Sequence, residues 1–154
     1  MKSSETSSAK KGVDAAAQAH DLARVHAALA RGVLQALPQV SPVRTGDAAW
    51  EARVVAAIAD VLAREQVLQV EVAEVASDRG IALEPGAHSL SHASLGFMKM
   101  DRLIERARRL CEAETEVIVE AKRNHARDPG LSTLFSKVLS QRREHLRRLA
   151  RLKA

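Results

Sequence analysis

Apolar residues recur along this chain at steps of three and four in four separate stretches, a spacing that predicts four amphipathic helices. The first covers residues 13 to 38, with Ala15, Ala19, Leu22, Leu29, Val33 and Leu37 on one face. Pro38, Ser41-Pro42 and Thr45-Gly46 then interrupt the pattern. Asp47 is placed to cap a second helix over 47 to 79, closed by Gly80, whose stripe is Trp50, Val54, Ile58, Val61, Leu68, Val72 and Val75. A polar loop over 83 to 94 precedes the third stretch, 95 to 127, which carries Met100, Leu103, Ala107, Leu110, Cys111, Val117, Ile118 and Ala121. Asp128-Pro129-Gly130 stops it. The fourth runs over 132 to 153, with Phe135, Val138, Leu139, Leu146 and Leu149 following Leu131. Residues 1 to 12 show no periodicity and read as a disordered polar tail. Four stripes on short loops are satisfied by burial against one another, so residues 13 to 154 are expected to form one all-α domain, an antiparallel up-down-up-down four-helix bundle.

A charged group on such a stripe is costly unless it is paired or ligating. His26 falls between Leu22 and Val33, Glu65 between Val61 and Leu68, and Glu114 between Leu110 and Val117. Arg142 and His145 fall between Val138 and Leu149. Each lies about 12 to 18 residues from its connecting turn, roughly 18 to 27 Å at helical rise. In an antiparallel bundle they would meet at one level, as an ionisable layer across the middle.

The bundle organisation, the lone interior Glu114 and the last-helix segment DPGLSTLFSKVLSQRREHLRRL resemble the ferritin-like superfamily, particularly its small bacterial bundle proteins. Di-iron members place one Glu on two helices and Glu-x-x-His on the other two, all projecting at one metal pair. This chain departs from that pattern. Glu65 is followed at the partner position by Leu68, His145 is preceded by Arg142, the first helix offers His26, and no Glu-x-x-His occurs. A fixed cation among would-be ligands repels metal and binds carboxylates. The layer therefore reads as a buried ion-pair network in a metal-free relative. The alternative is a degenerate site holding iron or manganese through His26, Glu65, Glu114 and His145.

Composition adds few constraints. Tyr is absent and Phe and Trp total three, so Ala, Leu and Val supply most of the apolar share, as suits long helices. A single cysteine, Cys111, permits no internal disulfide, and with no signal peptide or membrane-length apolar run the expected location is the cytoplasm. The formal charge is +5, and Lys137, Arg143, Arg147, Arg148 and Arg151 form a basic face on the last helix. Nucleic acid or an anionic surface could meet that face, but the shortage of aromatics gives bases little to stack on. His88 and His92, four apart in the Ser-rich loop, read as solvated histidines and not as a zinc pair. Without a nucleophile-base arrangement or a glycine-rich phosphate loop, the expected role is non-catalytic: homo-oligomer formation or binding to a protein partner. The ferritin-like resemblance implies a place in stress physiology.

Overall fold

The computed structural model describes residues 3–84 and 90–153, with the side chains of residues 3–9, 90, 91, 93 and 94 left aside. The chain is all-helical. In order it forms α1 (Ser3–Ala30), a single turn α2 (Val33–Ala36) that runs into a 3-10 turn (Leu37–Gln39), and α3 (Ala48–Asp78). A 3-10 segment (Leu90–Phe97), α4 (Met100–Asn124) and α5 (Pro129–Arg151) follow. Among the described residues the only strand-like contact is an isolated parallel bridge between Val43 and Lys99, and no helix is long and apolar enough to cross a membrane.

Local chemistry sets most of these boundaries. The Asp47 carboxylate accepts the Trp50 N–H at 2.9 Å and so caps α3, which ends before Gly80 at φ +70, a conformation that favours glycine. Asp128 caps α5 by accepting the Leu131 N–H at 3.1 Å, and Pro129 occupies the first turn, where its missing N–H costs nothing. Lys122 and Arg123 lie in the last turn of α4, where cations favour the negative end of the helix dipole.

The three largest departures from the sequence pattern lie at the two ends of the first helix and the start of the third. Helix α1 begins at Ser3 and not at residue 13, so the expected disordered tail is helical from that point. Lys10 through Ala17 are all exposed, and Ala15 contributes nothing to a core. The missing periodicity signals missing burial, while Ala, Lys and Glu remain good helix formers. The first helix also stops at Ala30, with a break at Arg31 and Gly32 before α2. Residues 95–97 belong to the 3-10 segment, so α4 starts at Met100.

Each long helix packs on two others: α4 on α5, α1 on α3, α1 on α4 and α3 on α5. Two apolar clusters result. One gathers Leu22, Val25 and Leu29 with Leu68, Val72, Ile118, Phe135 and Val138. The other gathers Val33 and Leu34 with Val61, Leu95, Ala107, Cys111 and Leu149. On every helix the divide between the clusters coincides with a polar interruption: the break at 31–32, Glu65, Glu114, and Arg142 with His145. A smaller group around Trp50, Val54 and Ile104 closes one end.

Candidate functional site

Arg142 is the centre of the polar layer and is wholly buried, as are Glu65 and His145. Its Nε donates to Glu65 Oε2 at 3.1 Å, and its Nη2 lies 3.0 Å from the same oxygen. Nη1 donates to Glu114 Oε2 at 3.2 Å and to the Cys111 sulfur at 3.3 Å. Nη2 also donates to the backbone carbonyl of Ala28. The other Glu65 oxygen, Oε1, lies 2.7 Å from His145 Nδ1, a distance at which an Nδ1–H donates to the carboxylate. Burial opposes the charge on Arg142, but Glu65, Cys111 and Glu114 outweigh it and hold its pKa above the ordinary arginine value. The Cys111 thiol is pushed up to about 11, chiefly by burial, which leaves it protonated and a poor nucleophile.

The layer also repairs the break in the first helix. If α1 ran on, the carbonyls of Ala28 and Leu29 would accept from Gly32 and Val33. Instead Val33 N–H donates to Glu114 Oε1 at 2.8 Å, so a side chain of α4 caps α2. Gln69 Nε2 on α3 donates to the Leu29 carbonyl at 2.9 Å, and Arg142 on α5 takes that of Ala28. One polar side chain from each of the other three long helices thus satisfies the backbone at the break, as buried backbone groups require. Gly32 is needed there, since a Cβ would stand 2.2 Å from the Ala28 oxygen and 2.6 Å from Glu114 Oε2.

Four of the five residues expected in the layer, Glu65, Glu114, Arg142 and His145, come together through these contacts. His26 does not. It is half-buried at the margin of the Leu22, Val25 and Leu29 stripe, and among the described residues it makes no hydrogen bond or ion pair with the other four. Burial and the charge of Arg31 hold its pKa below the ordinary histidine value. What α1 contributes in its place is a backbone carbonyl. A further histidine, His92 of the 3-10 segment, is buried with Nε2 3.8 Å from Glu114 Oε1. His92 Nδ1 and His145 Nε2 have no hydrogen-bond partner among the described residues. His92 is therefore not the solvated histidine the sequence suggested, and His88, read the same way, lies outside the described residues.

The donor set does not fit a di-iron or manganese centre. All four carboxylate oxygens of Glu65 and Glu114 already accept hydrogen bonds or face His145, and a guanidinium stands between the two groups. Among the described residues, no three His, Cys, Asp or Glu side chains are arranged to hold a metal ion.

Two other polar groups were missed in the sequence. Asp21 and His125 are both buried and pair at 2.9 Å (Oδ2 to Nε2), with Asn124 donating to the same carboxylate oxygen at 3.1 Å. Asp21 was readable, because it sits one turn before Val25 on the core side of α1. Beside this pair, Arg79 grips Asp128 with two nitrogens at 2.7 and 2.9 Å and donates to Gln18 at 2.9 Å. The basic face of α5 is largely neutralised: Lys137 pairs with Glu71 at 2.7 Å, Arg147 with Glu144 at 2.8 Å, and Arg148 with Asp60. Arg143 and Arg151 are exposed and form no ion pair among the described residues. No protein-family model, curated protein or solved structure matches the chain.

Proposed function

We propose that this chain is a ferritin-like, antiparallel up-down-up-down four-helix bundle that acts without catalysis, by self-association or by binding another protein. The pairwise packing of the helices supports that arrangement, as does the short link over residues 125–128, which suits antiparallel neighbours. The observation that carries the reading is Arg142, whose guanidinium occupies the place between Glu65 and Glu114 where a ferritin-like enzyme would hold metal. The layer then serves to fix helix register, the best-attested use of buried ionic groups.

The test is metal retention. Purified protein is incubated with ferrous iron in air, and separately with manganese, desalted, and measured by elemental mass spectrometry. Retention far below one metal per chain is expected, with no difference between wild type and Glu114→Ala. Near-stoichiometric metal that is lost in Glu114→Ala would overturn the reading and restore a metalloprotein.

A further inference from the structure

Helix α3 is apolar on two sides. One side enters the core through Val54, Val61, Leu68 and Val72. On the other, Val55, Ala59, Ala63, Val67 and Val70 follow one another at steps of three and four, a row roughly 22 Å long at helical rise. All five are exposed, the three valines by 59%, 59% and 57%, where scattered exposure would need no explanation but a continuous row does. One flank of the row opens into an apolar groove of about 520 Å³ bordered by Leu37, Val40, Leu62 and Leu103. The other flank is charged, with Arg53 and Arg64 toward the start of the helix and Glu71 and Glu74 toward its end. Glu71 is held by Lys137 and Arg64 by Asp60. Arg53 and Glu74, both exposed, form no ion pair among the described residues.

We propose that this face binds a second copy of the chain, the two α3 helices crossing antiparallel about a two-fold axis beside Ala63. The inference rests on the self-association reading and names its surface. A two-fold interface uses the same patch on both copies, so the patch must complement itself. In this register Val67 of one copy lies over Ala59 of the other, Val70 lies over Ala56, and Ala63 meets Ala63, so that large residues face small ones. The rotation brings like flank to like flank, and Arg53 of one copy stands opposite Glu74 of the other, twice over. That complementarity between two otherwise unpaired charges favours a second copy over an unrelated protein or a lipid surface.

Sedimentation equilibrium of the full chain tests it. Wild type is expected to be dimeric. Ala63→Arg, which sets two cations against each other on the axis, should weaken the dimer by at least about a hundredfold. Its far-UV circular dichroism should be unchanged, because arginine is a good helix former at an exposed site. Arg53→Glu and Glu74→Arg should each weaken association by roughly threefold to tenfold, and the double variant should restore it. A dimer indifferent to Ala63→Arg would overturn this interface while leaving self-association standing. A wild type that stays monomeric would overturn both, and failure of the double variant to recover would overturn the antiparallel register.

Discussion

Removing one member of a buried charge set costs more than the set contributes, because the groups left behind keep their desolvation and lose their counter-charge. Arg142→Leu leaves Glu65 fully buried and Glu114 mostly so without their cation. It should lower unfolding stability by about 3 to 5 kcal/mol in urea titrations. Replacing Glu65, Arg142 and His145 together with apolar residues of similar size should recover part of that loss, the remainder being the Glu114 carboxylate and the Ala28 carbonyl that Arg142 no longer meets; a single variant that costs less than about 1 kcal/mol would mean the layer is wet. At this scale the sequence was informative where a charged side chain broke an apolar stripe, as at Glu65, Glu114, Arg142 and His145. It misled at His26, one position round from Val25, because a stripe margin and a stripe centre look alike in one dimension. The Ala28 carbonyl and Gln69 were not legible, since a backbone acceptor has no letter and a half-buried glutamine resembles any surface residue.

The first helix shows why its periodicity, continuous through Leu29, Val33 and Leu37, concealed a break. Both sides of the break face the core, so the apolar pattern does not register it, and only Gly32 marks the position. Gly32→Ala should destabilise by about 2 to 3 kcal/mol, because the added methyl meets a carbonyl oxygen that cannot move without releasing Arg142. Gly12→Ala, inside α1 and away from the break, provides the contrast. Nothing lies within 4 Å of that position, and the change should stabilise by up to about 1 kcal/mol through helix propensity alone. Equal effects in thermal melts would show that the two glycines share a role and that the break is not enforced.

For the whole molecule, Arg79, Gln18 and Asp128 tie the end of α3, the middle of α1 and the start of α5 together. The Arg79 hydrogen bonds, with help from the Leu131 N–H, hold the Asp128 carboxyl down at about 2. An unfolded aspartate titrates near ~3.9, so this group binds protons more readily in the unfolded chain. Its stabilisation is therefore complete above about pH 4 and is lost as pH falls toward about 2. Asp128→Asn should flatten the fall in stability over that window and leave its shape above pH 5 unchanged; an unaltered acid limb would place this contact in solvent. The four-helix plan was legible because each stripe needed a partner, whereas this contact was not, because Arg79 and Asp128 lie at helix ends and Gln18 on a part-exposed helix position, where polar letters are ordinary. The break in the first helix also bears on how the chain is completed. Its Leu29 carbonyl, Val33 amide and Ala28 carbonyl are met in turn by Gln69, Glu114 and Arg142, the last closing a separation of 114 residues. A nascent chain released one residue at a time cannot satisfy the break in its first helix until Arg142, past the midpoint of α5, has been made, so truncation before Arg142 would leave the Ala28 carbonyl without its donor.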